Sequence, residues 1–219
     1  MDRAIITTED GSNTLYIPDL NEPYHSIHGA IQESIHVFIK AGIVHYGQKN
    51  IRILEAGFGT GLNAFLTLME ARENQRNVVF HTFEKYPLTP DEVEQLNYPD
   101  HFAPENASLF ARLHNAPWNE DVVVTPYFTL HKHKADFEEV NFQEYFDIVF
   151  FDAFAPDVQP RLWTEDMFAK FYKALKPEGI LTTYCVKGTV KRALRNLGFK
   201  LKRLPGPPGK REMLRGEKI

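Results

Sequence analysis

The segment Glu55-Ala56-Gly57-Phe58-Gly59-Thr60-Gly61 carries the densest chemistry in the sequence, between the apolar run Ile51 to Leu54 and a helical pattern through Leu62, Phe65, Leu66 and Met69. Glycines at alternate positions let the backbone turn tightly and let a ligand approach where a Cβ would stand. The dinucleotide fingerprint is spaced differently, as G-x-G-x-x-G, and seats a pyrophosphate on a helix N-terminus. Here the spacing is G-x-G-x-G, with an acid, Glu55, two positions before the first glycine. A carboxylate there repels a pyrophosphate and suits the ammonium and sulfonium charges of S-adenosylmethionine, which the loop therefore favours over NAD. A second acid, Glu84, ends the next apolar run, 23 residues beyond Gly61. That is close to the ~20 expected for a carboxylate that accepts from both ribose hydroxyls. Asp136, after a third run, is placed to accept from an adenine amino group.

A further carboxylate, Asp152, follows the run Ile148-Val149-Phe150-Phe151 and opens Asp152-Ala153-Phe154-Ala155-Pro156. In open α/β sheets the ligand lies beyond the carboxyl ends of the strands, so Asp152 points at the same crevice as the glycine loop. Methyl transfer needs an acceptor with a free lone pair, and an aliphatic amine of pKa ~10 is mostly protonated in solution. Asp152 is the candidate to accept that proton or orient the neutral amine, while the site aligns the reactants. Phe154, Pro156 and Trp163 offer an aromatic wall for a splayed-out base, with satellite core as the competing reading. His131 and His133 share a strand face, but the sequence shows no third ligand, so no metal is expected. Cys185 lies in an apolar run and reads as a small core residue.

These side chains need strands ending at one edge. Residues 4–17 read as two short strands around Asp10-Gly11, and Ile27, Ile31, Ile35, Phe38 and Ile39 recur at helical spacing with Gly42 as the stop. Val78 to Phe83 is a second strand. Thr89-Pro90-Asp91-Glu92 has capping-box chemistry, opening a helical stretch expected over roughly residues 89–116. Val122 to Leu130 and Asp147 to Phe151 are the third and fourth strands. Thr164 caps a helix built on Phe168, Phe171, Tyr172 and Leu175, which Lys176-Pro177-Glu178-Gly179 breaks before a strand from Ile180 to Tyr184. A basic helix through Val190, Ala193, Leu194 and Leu197 stops at Gly198, and strands at 199–204 and 212–214 close the sheet. The alternation implies an α/β fold with parallel pairing and right-handed crossovers, and together with the glycine loop and its acids it reads as a Rossmann-like S-adenosylmethionine-dependent methyltransferase fold. Its sheet is expected to be mostly parallel and seven-stranded with a terminal antiparallel strand, in a single domain over 1–219. Residues 1–45 form a small hairpin/helix extension and 46–219 the core.

The 219 residues, 43% hydrophobic and 25% charged, suit one globular domain. The single cysteine excludes an intrachain disulfide framework. With no basic-then-apolar leader and no 18-residue apolar run, secretion and membrane insertion are not expected and a cytoplasmic location is. The net charge of −4 is unevenly distributed: from Lys187 onward stand eleven Lys or Arg against two Glu. Such a segment can neutralise nucleic-acid phosphates even in an acidic protein; a solvated helix and hairpin is the alternative.

The segments Tyr24-His25-Ser26, Gln32-Glu33-Ser34, Val37-Phe38, EAGFGTGLN, FEKYPLT, FFDAFAP…LW and GKREML together resemble the methyltransferase half of the bifunctional tRNA wobble-uridine enzymes of the MnmC family, a half that also occurs alone (MnmD type). The resemblance spans nearly the whole chain in the same order. It implies N-methylation of 5-aminomethyl-(2-thio)uridine at the tRNA wobble position to the 5-methylaminomethyl product, with the anticodon stem-loop as partner. It implies Asp152 beside the acceptor amine, with Glu55, Gly57, Phe58, Gly59, Gly61, Asn63, Glu84, Lys85 and Asp136 around the cofactor. Tyr24, Phe154, Pro156, Trp163, Lys187, Lys210 and Arg211 fall to the substrate side. The FAD-dependent half has no counterpart before the sequence stops, so no FAD is expected, and the aminomethyl substrate is expected from another enzyme or from a pathway that makes it directly. One departure stands out. The family usually has a Ser-Ala-Gly type run before Val-Arg-Arg, where this sequence has Cys185-Val186-Lys187-Gly188-Thr189 and then Val190-Lys191-Arg192, with Lys187 adding a charge near the crevice. Two other readings compete: a small-molecule amine methyltransferase or aminopropyltransferase-like enzyme of the same fold, and a non-catalytic RNA-binding Rossmann module. The three acids at strand ends argue against the last.

Overall fold

The computed structural model describes residues 2–219. Strands β1 (Ala4–Thr7) and β2 (Asn13–Ile17) pair antiparallel, and the short β3 (Glu22–Pro23) adds to β2. Helix α1 (Ala30–Ser34) runs directly into π-helical bonding over Ile35–Val44, which buries Val37, Phe38, Ile39 and Ile43. Gly42, expected to end this helix, lies inside it. The reason is packing: a Cβ at that position would stand 3.0 Å from the Phe150 ring.

The main sheet begins with β4 (Asn50–Ala56), followed by α2 (Leu62–Glu73) and β5 (Asn77–Phe83). Thr89 caps α3 (Pro90–Glu94) with the full expected capping box. The helix does not continue to residue 116. Pro99 and Pro104 begin short 3₁₀ turns at Tyr98–His101 and Pro104–Asn106, and only then does α4 (Ala107–Asn115) form. The expected third strand is a hairpin, β6 (Asp121–Thr125) and β7 (Phe128–His133), turning at Pro126-Tyr127 because proline cannot donate to a ladder. Next come β8 (Phe146–Phe151), buried throughout, α5 (Glu165–Ala174) capped by Thr164, and β9 (Leu175–Thr183). The Lys176–Gly179 break lies within β9 as a register shift against β8, with Glu178 at φ 63°. Helix α6 (Gly188–Asn196), β10 (Phe199–Pro205) and β11 (Glu212–Lys218) complete the chain.

The large sheet has eight strands in the order β10-β11-β9-β8-β4-β5-β7-β6. Strands β9, β8, β4, β5 and β7 pair in parallel, β11 is antiparallel to β9 and β10, and β6 is antiparallel to β7. The strand beyond the expected seven is β6. Two apolar layers cover the sheet: Phe38, Phe65, Phe80 and Phe150 belong to one, and Val149, Phe151, Phe168 and Phe171 to the other. Strand β4 has β5 on one side and β8 on the other, so the connections diverge there and open a crevice at the carboxyl ends of all three.

Candidate active site

The glycine loop crosses that crevice. The Gly57 and Phe58 amides both donate to the Phe83 carbonyl, at 3.1 and 3.2 Å, tying the loop to the end of β5. Gly57, Gly59 and Gly61 have φ of 97°, 51° and 73°, a region that side chains strain to enter. A Cβ on Gly59 would stand 3.2 Å from the Tyr24 ring, and one on Gly61 would meet His114 Nε2 at 2.7 Å. Glu84 is on the cleft wall and holds the loop: its Oε2 accepts from the Gly59 amide at 3.0 Å and its Oε1 from the Tyr86 amide at 2.7 Å.

Glu55 is not on the cleft wall. It lies beneath the loop, 1% exposed, and burial pushes its carboxyl well above the ordinary range. Its Oε2, the Asn63 Oδ1 and the Thr82 Oγ1 are buried without a hydrogen-bond partner. Burial favours the neutral form of Glu55, so these groups offer hydrogen-bonding rather than charged partners, and unpartnered polar atoms at a glycine cradle fit a bound polar group. The donor set therefore suits S-adenosylmethionine.

Asp152 extends from the end of β8 to the cleft, where its Oδ2 accepts from Asn63 Nδ2 at 2.8 Å. Burial and the nearby Glu33 carboxylate push its carboxyl up to about 7, against the smaller opposing effects of Asn63 and Lys210. A group poised there exchanges a proton readily at physiological pH.

The remaining predicted residues divide. Tyr24 and Phe154 both line the cleft and meet edge to face at 4.9 Å. Lys85 and Asp136 line it too, joined at 2.8 Å. Asp136 also caps Phe137–Glu139 and lies 3.4 Å from Arg161. Burial alone would raise its carboxyl, but Lys85, the Glu138 amide and Arg161 together hold it below the ordinary value. Trp163 is not a cleft wall: its ring packs on Phe151, Phe168 and Tyr184, and its Nε1 donates to the Phe154 carbonyl at 2.7 Å. It supports Phe154 from behind. Pro156 is likewise off the wall. Lys187 pairs with Asp157 at the surface, so its charge is spent outside the crevice. Lys210 pairs with Glu33, a largely buried carboxylate on α1, and lies 4.3 Å over the Tyr184 ring. The Tyr184 hydroxyl donates to the Ala153 carbonyl, next to Asp152, at 2.9 Å. Lys210 is thus a tie between the C-terminal hairpin and α1 rather than a free cation, while Arg211 is exposed beside it. Cys185 is buried, as expected of a core residue.

Sequence reasoning missed Arg3, His25, Phe137, Gln159 and Arg161 on the cleft wall. Arg3 comes from β1's approach, bonded to Glu92 at 3.0 Å and to the Tyr86 carbonyl at 2.7 Å. Nothing in the linear spacing links Arg3 to a loop fifty-odd residues later. Only the docking of the N-terminal sheet on residues 92–97 brings it there, through Asn13 and Asn97. It also missed Lys132, which is 1% exposed beneath the loop, donates to the His114 carbonyl at 2.7 Å, and lies over Phe58 and Trp118. His114 in turn bonds the Thr60 carbonyl at 3.1 Å.

The fold, the strand–glycine-loop–helix unit and the acids at the switch point define an S-adenosylmethionine-dependent methyltransferase. Residues 119–219 match the family described as S-adenosyl-L-methionine-dependent methyltransferase. The chain is 30% identical to the tRNA 5-methylaminomethyl-2-thiouridine biosynthesis bifunctional protein MnmC of Aeromonas salmonicida, over 92% of this chain and 33% of that protein. It is 33% identical to the protein of the same name from Azoarcus, over 95% of this chain and 34% of that one. The chain thus spans about a third of the length of these curated relatives. The crystal structure of MNMC2 from Aquifex aeolicus superposes with a TM-score of 0.82 at 30% identity, covering 98% of this chain and 70% of that one. The chain belongs to the MnmC methyltransferase family.

Proposed function

We infer that this protein methylates the primary amine of 5-aminomethyl-(2-thio)uridine at the wobble position of tRNA, giving the 5-methylaminomethyl nucleoside. The observation that carries this reading is Asp152, a single carboxylate held at about 7 on the wall of the cofactor cleft. The relatives' names include tRNA 5-methylaminomethyl-2-thiouridine biosynthesis, and removing one methyl from that product leaves the aminomethyl acceptor. Gly57, Phe58, Gly59, Gly61, Asn63, Glu84, Lys85 and Asp136 would hold S-adenosylmethionine, with Glu55 acting from beneath the loop. When bound, S-adenosylmethionine supplies an electrophilic methyl carbon to the amine nitrogen, the electron pair of the broken C–S bond staying on sulfur.

The acceptor arrives mostly as an ammonium ion, which Asp152 and the neighbouring Glu33 attract. Asp152 takes one N–H proton, and Asn63 fixes the receiving carboxylate through its Oδ2. Tyr24 and Phe154 flank the base and exclude water around the amine. Exposed Arg192, Arg195, Lys200, Lys202, Arg203 and Arg211 face solvent and would hold the anticodon stem-loop through its phosphates. The cleft is suited to alkylating an existing amine, so installing the aminomethyl group is a separate reaction carried out outside this cleft.

The test is transfer from labelled S-adenosylmethionine to tRNA carrying aminomethyluridine, followed by nucleoside mass analysis. We expect one added methyl on that nucleoside, and for Asp152→Ala retained cofactor binding with turnover reduced by about 100-fold or more. Labelled product on another nucleoside would remove the assigned substrate, and near wild-type turnover of the variant would remove Asp152 from the chemistry.

A further inference from the structure

Strands β5 and β7 run in parallel register with His81 opposite His131 and Phe83 opposite His133. Alternate residues of a strand share a face, so His81, His131 and His133 gather on the side opposite Phe80 and Leu130. One nitrogen of each ring lies within 4.8 Å of the others. His81 Nδ1 and His133 Nε2 are 3.0 Å apart, within hydrogen-bond distance. His131 Nδ1 is 2.7 Å from Asp121 Oδ1 on the neighbouring β6. That contact places the proton on Nδ1 and leaves the His131 Nε2 lone pair free, as in carboxylate–histidine–metal arrangements.

We propose that His81, His131 and His133 form a binding site for a divalent transition-metal ion, with Asp121 orienting His131 and solvent completing the coordination. The donor chemistry favours zinc or its borderline neighbours. Zinc–nitrogen bonds of about 2.0–2.1 Å put tetrahedral ligand nitrogens ~3.3 Å apart. The His81–His133 pair therefore opens by about 0.3 Å, and the hydrogen between the two rings moves to the other nitrogen of the ring that carries it, leaving both imidazoles neutral as the ion takes its place. The third nitrogen closes by at most about 1.5 Å, which requires the rings to tilt. His81 and His131 stack at 5.0 Å with their planes 5° apart, and His131 and His133 at 4.1 Å and 29°. Neutral imidazole is the ligating form, one ring nitrogen binding the ion while the other keeps its hydrogen. Arg52 of β4 opposes a cation near His81; Asp121, 70% exposed, offsets it and marks the side from which an ion enters.

The position gives such an ion a role. The Glu84 amide donates to the His133 carbonyl at 2.9 Å, and three residues after His133 the chain reaches Asp136. A metal across β5 and β7 would fix the spacing of the two acids on the adenosine side of the cleft. This consequence, unlike the site itself, rests on the cofactor reading above.

The experiment titrates untagged protein with Co²⁺ and then Zn²⁺. We expect saturable uptake of about one cobalt per chain with the visible ligand-field absorption of four-coordinate cobalt, bleached by about one equivalent of zinc. His133→Asn should abolish the absorption, and Asp121→Asn should weaken affinity by about 10-fold or more. His28→Asn, at a distant histidine, should leave it unchanged. If His133→Asn fails to fold, the partly solvent-facing His131→Gln takes its place, with circular dichroism as the check. Absence of stoichiometric uptake, or absorption that survives a folded ligand variant, overturns the site. Either result is independent of tRNA methylation. Saturable uptake without any change in S-adenosylmethionine affinity keeps the site and overturns its link to the cleft.

Discussion

At the scale of single residues, the site is organised by where acids are kept and how far burial moves them. Asp152 and Glu55 end adjacent strands, yet only Asp152 is on the cleft wall, and its proton affinity sits at about 7. If the ionised carboxylate is the working form, activity is low where Asp152 is protonated and rises as pH passes through its pKa. We expect kcat/KM to climb with a midpoint near 7. A second, higher limb follows if the acceptor is the proposed amine, whose solution pKa is ~10. Asp152→Asn should remove the lower limb and leave the upper one, with a rate reduced by about 100-fold or more. A lower limb that persists unchanged in the variant would assign it to another group. The substitution is informative because Asn can still accept from Asn63 at the same oxygen position, so geometry is retained while basicity is lost.

At the scale of elements, the glycine loop joins β4 to α2 and is clamped from three directions. Glu84 holds the Gly59 amide, Tyr24 covers the Gly59 Cα, and His114 of α4 holds the Thr60 carbonyl. Gly59→Ala combines a φ of 51° with a Cβ 3.2 Å from the Tyr24 ring. Left-handed backbone costs an L-residue roughly 1–2 kcal/mol, and Tyr24 must also give way. We expect S-adenosylmethionine affinity to fall by about 10-fold, since 1.4 kcal/mol is a factor of ten. Gly47→Ala is the matched control, with a φ of 74° and no atom nearer than 3.8 Å; it should cost stability but leave cofactor affinity unchanged. Equal affinity losses in both would attribute the effect to global strain. The same elements show what sequence can and cannot convey. Local patterns were readable because they are local: the capping box at Thr89, the buried run of β8 and the glycine spacing each depend on neighbours within a few residues. The Val122–Leu130 run read as one strand because apolar continuity hides a two-residue turn. Glu33 stood within a recognised segment and Lys210 within another, but their pairing joins residues 177 positions apart. The third histidine was invisible for the same reason, since it comes from a different strand and only the β5–β7 register brings it across.

At the scale of the whole molecule, parts from both ends of the chain meet at and behind the cleft. Arg3 and Tyr24 come from the N-terminal segment, the glycine loop from the sheet's centre, and Lys210 reaches back from the β10–β11 connection to Glu33. This convergence buries ionisable groups that would be more comfortable in water, and stability should register it. Asp152 has a folded pKa of about 7 against ~3.9 unfolded. A raised folded pKa means that the native state binds its proton more tightly, so the contribution is fully present below ~3.9 and is lost as pH rises towards 7. Asp152→Asn carries no charge in either state and escapes that loss. We therefore expect the variant to melt several degrees above the wild type at pH 8, with the gap narrowing steadily towards pH 4. All other titrating groups are common to both proteins and cancel in the comparison, including His25 and His114, which burial draws down to about 4 and which lower stability in acid. A gap independent of pH would mean that Asp152 is not held above its solution pKa. A variant less stable at pH 8 would mean that its ionised form is stabilised by the fold. Either outcome would also undercut its assignment as the group that takes the proton, because both roles depend on the same unfavourable burial.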